Sequence, residues 1–322
     1  MNKIAILDDY QNAALSAADW GRLSNAQVTV FNDFIPTESL AKCLSSFHIL
    51  VLMRERTPMP KVLIDKLRNL KLIVTAGLRN RSIDMEAARA AGIDVCGTEM
   101  LGYPAFEHTW GLILALTKKI PVEDQVMKNG GWQKGFGIGL NGKTLGLVGL
   151  GKLGAKVAKV GLAFDMRVIA WSQNLTDERS NELGVERVNK DVLFKSADLI
   201  SIHLVLSDRT TNLVGEPELK QMKSTAYLIN TSRGPIINEQ ALIKALRSGA
   251  IAGAALDVFD TEPLPINHPL RQLKNIVLTG HTGFVVKELH QKVYQQAVEG
   301  IQSWLEGAPV RLLNGLEESA NV

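Results

Sequence analysis

Cysteine is scarce. Cys43 and Cys96 are the two in 322 residues, too few for a framework of disulfides. Both sit in apolar surroundings and read as reduced core residues, which suits a cytoplasmic protein. An excess of one charge is missing as well. Lys and Arg number 36 against 33 Asp and Glu, a net charge of +3, and no block of like charge stands out, so nucleic-acid binding is not implied. No apolar run reaches bilayer length; the stretch Leu112 to Leu116 falls far short. Met1-Asn2-Lys3-Ile4 enters a strand directly, without the pattern of a signal peptide. No His/Cys/Asp/Glu group has metal-ligand spacing, so no metal is expected. Internal repeats, low-complexity tracts and coiled-coil heptads are absent too.

What is present is ordinary globular material, 46% hydrophobic and 21% charged. The length suggests two domains, each able to bury a core. Strand candidates in the first hundred residues are Lys3–Leu7, Val28–Phe31, Ile49–Leu52, Leu72–Thr75 and Asp94–Cys96. Helical patterns lie between them near Asn12–Leu23, Glu38–Ser45, Pro60–Leu67 and Asp84–Ala91. Such alternation predicts a parallel sheet with helices on both faces. A long helix over Ala105 to Lys118 follows, with Pro121 marking its end. After the loop Asn129-Gly130-Gly131-Trp132 a second series runs through Leu145–Val148, Val168–Trp171, Leu199–His203, Ala226–Asn230, Ile251–Leu256 and Ile276–Leu278. The last helix, Val285 to Leu305, should return to the first domain and leave Val310-Arg311-Leu312-Leu313 to pair or pack there. The expectation is α/β, two doubly wound parallel-sheet domains. Residues 1–102 with 295–322 form one and 103–294 the other, with substrate in the cleft at the strand C-terminal ends.

The most specific motif is Gly149-Leu150-Gly151-Lys152-Leu153-Gly154. It follows the strand Thr144 to Val148 and opens a helical stretch, Ala155 to Ala163, before the strand Arg167 to Trp171. In that context it is the dinucleotide fingerprint. The first glycine makes the tight turn, the second admits a pyrophosphate, and the third packs helix on strand. The helix N-terminus then offers free N–H groups and a positive dipole end.

Three more segments leave consecutive strands on one sheet edge: Asn230-Thr231-Ser232-Arg233-Gly234, Leu256 to Pro263 with Asp257 and Glu262, and Leu278-Thr279-Gly280-His281-Thr282-Gly283. With the glycine loop they resemble the D-isomer-specific 2-hydroxyacid dehydrogenases over essentially the whole chain. Glu107-His108-Thr109-Trp110-Gly111 and Asn141-Gly142-Lys143-Thr144 are further matches. The resemblance implies a Rossmann cofactor domain plus a flavodoxin-like substrate domain. It makes Arg233 the binder of a substrate carboxylate, His281 the acid/base and Glu262 its partner. The implied NAD contacts are Gly149, Gly151, Lys152, Leu153, Gly154, Ser172, Gln173, Asn174, Leu204, Thr231, Ser232, Arg233, Asp257, His281, Gly283 and Thr109. The implied substrate contacts are Arg54, Gly77, Leu78, Arg79, Arg233 and His281. Hinge closure and a homodimer built on the cofactor domain come with the family.

These residue types suit the reaction. Hydride addition to a 2-oxo acid puts charge on the carbonyl oxygen, and an imidazolium can deliver a proton as that charge appears. A neighbouring carboxylate favours the charged ring. A guanidinium fork holds a carboxylate at two points and so selects the carbonyl face. Each residue also has a plainer reading, as a surface-turn arginine, a loop carboxylate before proline and a hydrogen-bonded loop histidine. Their order and spacing together favour catalysis. His48, His268 and His290 read as structural or solvated. His203, ending a strand near the cofactor, and His108, opening the long helix, are open between structural and ligand roles.

The sequence departs from the family at several points. Trp171-Ser172-Gln173-Asn174 puts serine where NAD-specific relatives carry an aspartate, so NAD is expected and NADP is not excluded; the nearest arginine is Arg179. Gly280 replaces the usual proline before His281, which frees that loop. Leu204-Val205-Leu206 replaces a threonine-proline pair. In Ala76-Gly77-Leu78-Arg79-Asn80-Arg81-Ser82, Arg79 stands where a second glycine is common. One or more of Arg54, Arg79 and Arg81 is a candidate reader of a second negative group on the substrate. The alternative is solvated arginines paired with Glu55 or Asp84. The expected activity is reduction of a 2-oxo acid to a D-2-hydroxy acid, glyoxylate/hydroxypyruvate reductase-like or phosphoglycerate dehydrogenase-like. Formate oxidation is disfavoured, since those relatives carry glutamine where this chain has Glu262. The sequence stops soon after its last helix, so the regulatory domain of many serine-pathway relatives is expected to be absent. An NADH-sensing corepressor is the alternative from another class.

Overall fold

Ile49-Leu50-Val51-Leu52 and Leu72-Ile73-Val74-Thr75 are buried at every position, as central strands covered on both faces must be. They lie in a five-stranded parallel sheet made of β1 (Asn2–Ile6), β2 (Ala26–Val30), β3 (Ile49–Leu52), β4 (Leu72–Thr75) and β5 (Asp94–Gly97), ordered β2-β1-β3-β4-β5. A second, seven-stranded parallel sheet holds β6 (Thr144–Val148), β7 (Arg167–Trp171), β8 (Glu186–Arg187), β9 (Leu199–Ile202), β10 (Tyr227–Asn230), β11 (Gly253–Leu256) and β12 (Ile276–Leu278). Its order is β12-β11-β10-β9-β6-β7-β8. The first order is flavodoxin-like and the second is that of a Rossmann sheet with one strand added. Both are doubly wound α/β sheets.

The computed structural model describes residues 1–315. They divide into two units, Met1–Leu101 with the chain from Val285 onward, and Gly102–Phe284. The return to the first unit thus comes at Val285 rather than at 295. The helix Lys287–Leu305 is continuous and buries Leu289, Val293, Tyr294, Ala297 and Ile301. Tyr294 at its middle reaches Asp9 Oδ1 at 3.3 Å and meets the Trp20 ring edge-on. Residues 316–322, counted in the expected first domain, lie outside the described residues. Leu312 bridges antiparallel to Cys96, and Leu313 N–H donates to the Val95 carbonyl at 2.7 Å, so the segment after the helix pairs with β5.

Three local expectations need correction. The helical pattern over Asn12–Leu23 yields a short α-helix, Ala14–Ala17, and a 3₁₀ turn, Trp20–Arg22. Asp19 breaks it by accepting the Gly21 N–H at 3.1 Å, an alternative to helical bonding. Pro121 does more than end a helix. Pro104–Thr117 stops at a left-handed Lys119, and Pro121 then sits in the first turn of a new helix, Ile120–Lys128, where its missing N–H costs nothing. Cys43 is exposed, whereas Cys96 is buried. The helix Thr37–Leu44 buries Leu40 and Leu44, one turn apart, and Cys43 lies off that stripe. Burial pushes the Cys96 thiol up to about 11.

Candidate active site

The strand order of the second sheet reverses at β6, with β7 on one side and β9 on the other. A ligand crevice is expected there, outside the strand C-termini. The glycine turn occupies that place. Gly149 has φ +106°, and a Cβ on it would lie 2.5 Å from the His203 carbonyl oxygen. A Cβ on Gly154 would collide with the Gly149 carbonyl. The protein's own packing therefore requires both. Gly151 differs: a Cβ there meets nothing within 4 Å. It is the N-cap of the helix Lys152–Ala163, with no side-chain cap. The first intrahelical bond is Ala155 N–H to the Gly151 carbonyl, leaving the N–H groups of Lys152, Leu153 and Gly154 for a ligand. Open space over uncapped N–H groups fits a dinucleotide pyrophosphate.

The other expected cofactor residues, Thr109 apart, follow strands of the same edge. Ser172 is half-buried after β7, with Gln173 and Asn174 exposed. Arg179 is exposed and ion-paired to Glu182 at 3.1 Å. Leu204 follows β9, against the Gly149 turn. Beside it His203 takes a 2.9 Å hydrogen bond with Ser201 Oγ, and burial pushes its imidazole down to about 4, leaving it neutral. Thr109, on the helix Pro104–Thr117, meets Thr231 after β10, hydroxyl to hydroxyl, at 2.7 Å. Ser232 Oγ donates to the Ile202 carbonyl at 2.7 Å.

Arg233 is carried by an Asn230-centred turn. Asn230 Oδ1 accepts from Ser232 N–H at 3.0 Å, and its amide donates to the Arg233 carbonyl at 2.9 Å. Gly234 lies so close to the Phe259 backbone that a Cβ would strike it. The loop after β10 is thus pressed onto the loop after β11, which carries Glu262. That loop in turn grips the one after β12. Glu262 Oε1 accepts the Phe259 N–H at 2.9 Å, and Oε2 accepts from His281 Nδ1 at 2.6 Å. The three loops carrying Arg233, Glu262 and His281 are therefore adjacent.

His281 is held in a left-handed conformation, φ +53°, which costs a non-glycine residue about 1–2 kcal/mol. Asp257, 1% exposed, offsets this by binding the loop on both sides of the imidazole. Its carbonyl accepts the His281 N–H at 2.7 Å. Its Oδ1 accepts from Thr279 Oγ1 at 2.5 Å and from Thr282 N–H at 2.8 Å, and its Oδ2 from Gly283 N–H at 2.8 Å. Gly283 must be glycine here, since a Cβ would lie 2.9 Å from Asp257 Oδ2. Burial alone would raise the Asp257 carboxyl, but hydrogen bonds from His108, Thr279 and Thr282 outweigh it and hold the group below the ordinary carboxylate range. Oδ2 takes one donor and retains acceptor capacity, which suits a cofactor amide.

The remaining expected residues belong to the first unit. The order of its sheet reverses between β1 and β3. Asp8, after β1, is buried with φ +58°. It ties to the loop after β3, its Oδ2 accepting from Thr57 Oγ1 at 2.6 Å and its carbonyl from Arg56 Nη1 at 3.0 Å. Burial raises its carboxyl above the usual range. Sequence reading passed over Asp8, because a short acidic run after a strand carries no periodic signal. Arg54 (φ +57°) lies over Gly77 (φ +96°), where a Cβ would be 2.5 Å from its Nη1. It is ion-paired with Glu55 at 3.5 Å, as the plainer reading expects. Asp84 instead caps the helix Met85–Ala90 through Ala87 N–H. Leu78, Arg79 and Arg81 are exposed.

A doubly wound sheet with an uncapped glycine turn at its switch point defines a dinucleotide-binding α/β protein. The imidazole held by a carboxylate, His281 on Glu262, stands on the same edge. Comparison with known proteins agrees. The profile "D-isomer specific 2-hydroxyacid dehydrogenase, NAD binding domain" matches residues 110–283. A glyoxylate reductase of Aeropyrum pernix is 40% identical over 263 residues, 78% of this chain and 78% of that protein. A D-3-phosphoglycerate dehydrogenase of Archaeoglobus fulgidus is 35% identical over 300 residues, 92% of this chain and 56% of that protein. The crystal structure of a phosphoglycerate oxidoreductase from Vibrio cholerae superposes with TM-score 0.91 at 36% identity, covering 96% of this chain and 100% of that one. The chain belongs to the D-isomer-specific 2-hydroxyacid dehydrogenase family, and it is an NAD-binding oxidoreductase acting on small 2-oxo and 2-hydroxy acids. Among the described residues no helix is long and apolar enough to cross a membrane, and no group of His, Cys, Asp and Glu could hold a metal ion.

Proposed function

We propose that this enzyme reduces a small 2-oxo acid to its D-2-hydroxy acid, with Arg233 binding the carboxylate, His281 donating the proton and Glu262 orienting the imidazole. The observation that carries the reading is the 2.6 Å contact from His281 Nδ1 to Glu262 Oε2. It commits Nδ1 to the carboxylate and leaves Nε2 as the ring's proton-carrying atom. NADH, when bound at the glycine turn, would supply the hydride for the carbonyl carbon. His281 gives its Nε2 proton to the carbonyl oxygen as charge appears there, a contribution of about 10²–10⁴ in rate. Arg233 fixes the face presented to the cofactor by a two-point grip on the carboxylate. The glycine turn from Gly149 to Gly154, with Ser172, Gln173, Asn174, Leu204, Thr109, Thr231, Ser232, Asp257 and Gly283, is the proposed cofactor set.

The loops of the first unit, with Gly77, Leu78, Arg54 and Arg79, are assigned to recognising the rest of the acid. Arg79 is exposed, and among the described residues it makes no hydrogen bond or ion pair. That supports a second anionic group on the substrate, a phosphate or distal carboxylate, as the group it reads. Initial rates with NADH and NADPH against glyoxylate, hydroxypyruvate and phosphorylated hydroxypyruvate test both points. Turnover of none of them would end the reductase reading. Unchanged kcat/KM for every doubly anionic acid in Arg54→Ala and Arg79→Ala would end the second.

A homodimer in the cytoplasm completes the proposal. The helix Ile120–Lys128 buries none of its residues, and beyond it Trp132 is 73% and Phe136 95% exposed. Clustered apolar exposure of this kind marks a protein interface. Light scattering on wild type and on Trp132→Ser/Phe136→Ser checks it, with dimer and monomer as the expected masses.

A further inference from the structure

His108 takes no part in the chemistry above, yet it touches the elements that carry it. It lies near the start of the helix Pro104–Thr117, with its side chain 24% exposed. Its Nε2 is 3.0 Å from Thr279 Oγ1 and 3.2 Å from Asp257 Oδ1. The Thr279 hydroxyl has one hydrogen, and at 2.5 Å it goes to Asp257 Oδ1. Its oxygen is left to accept, so Nε2 of His108 is the nitrogen that bears hydrogen. One N–H therefore braces the ends of β11 and β12 from a third element.

We propose that His108 is a positioning residue for His281, acting through Thr279 and Asp257. The inference rests on His281 being the proton donor. The imidazole sits between residues that are each bonded to Asp257: Thr279 before it, Thr282 and Gly283 after it, and its own N–H to the Asp257 carbonyl. Where the ring lies thus follows from how Asp257 is seated against residues 279–283. Gly280 leaves this loop without the rigidity a proline would give, and a Cβ there would meet nothing within 4 Å. The loop's order has to come from its hydrogen bonds. His108 holds the Thr279 hydroxyl rotor towards Asp257 and gives Oδ1 a further donor. Without it the Thr279–Asp257 bond stands alone, unsupported from the helix, and the seat of the imidazole loosens while the cofactor turn at Gly149 to Gly154 is untouched.

Steady-state kinetics on the full chain test this, using NADH with glyoxylate or hydroxypyruvate, whichever wild type reduces faster. His108→Leu is expected to lower kcat about tenfold with KM for NADH within about twofold, because proton delivery depends on placement. His108→Gln, whose amide reaches the place of Nε2 and can donate to Thr279 Oγ1, is expected to keep at least about half of wild-type kcat. Thr279→Val keeps the shape but removes the relay, and should reproduce the loss; it carries the test if His108→Leu fails to fold. The inference falls if His108→Leu keeps kcat, if the Gln and Leu variants are equally poor, or if KM moves in place of kcat. His281→Ala separates the two readings. An active His281→Ala overturns the proton-donor assignment itself, whereas an inactive one beside a normal His108→Leu overturns this inference alone.

Discussion

His281 Nδ1 and Glu262 Oε2 lie 2.6 Å apart, and the other Glu262 oxygen is occupied by the Phe259 N–H at 2.9 Å. Both carboxylate oxygens face donors. Glu262→Gln must therefore point an amide N–H₂ at one of them, either turning the imidazole or breaking the loop that holds the side chain. The expected outcome is a fall in kcat of about 10²-fold. The melting temperature should barely change, since the pair is partly solvated and such pairs contribute little. Rates of NADH oxidation check this. A kcat within threefold of wild type would remove Glu262 from the mechanism.

The glycine turn separates packing from binding. Gly154 abuts the Gly149 carbonyl, while a Cβ at Gly151 would enter open space. Gly154→Ala should destabilise the fold by about 1–3 kcal/mol through overpacking. Gly151→Ala should fold with a melting temperature close to wild type, yet weaken NADH binding about tenfold or more by standing where phosphate approaches. Thermal melts and fluorescence titration with NADH distinguish them. Equal NADH affinity in Gly151→Ala and wild type would move the pyrophosphate elsewhere.

Sequence pattern exposes some features of this fold and hides others. β3, β4, β6 and β9 are buried at every position, so their apolar runs are visible without any partner. β8 is two exposed residues, Glu186 and Arg187, and nothing in its composition marks it; pairing with β7 makes it a strand. The helix pattern over Asn12–Leu23 fails because periodicity counts apolar positions and ignores the local bond Asp19 makes. Arg233, Glu262 and His281 are readable as a set because each follows a strand. The bracing of Asp257 by His108 is not, since it depends on a helix and two strand ends meeting in space.

With the proposed cofactor set, coenzyme preference is expected to turn on Ser172. No carboxylate stands after β7 to repel a 2′-phosphate, and the nearest arginine, Arg179, is paired with Glu182 at 3.1 Å. Ser172→Asp places a negative charge where that phosphate would lie. It should lower kcat/KM with NADPH about tenfold or more while sparing NADH. Initial rates with both coenzymes measure the ratio. If the ratio does not move, the ribose does not sit against this residue.

Acid should weaken the second unit through His203. In the folded chain its imidazole takes a proton near pH 4, against an ordinary value of 6.5. Between those values the unfolded chain holds more protons, so stability is present above pH 6.5 and is lost as pH falls towards 4. The slope for one proton is at most about 1.4 kcal/mol per pH unit. His203→Gln can still accept the Ser201 hydroxyl but does not titrate. The drop in urea midpoint from pH 7.5 to pH 5 should therefore be smaller in His203→Gln than in wild type. An identical drop in both would mean that His203 is already open to protons in the folded protein.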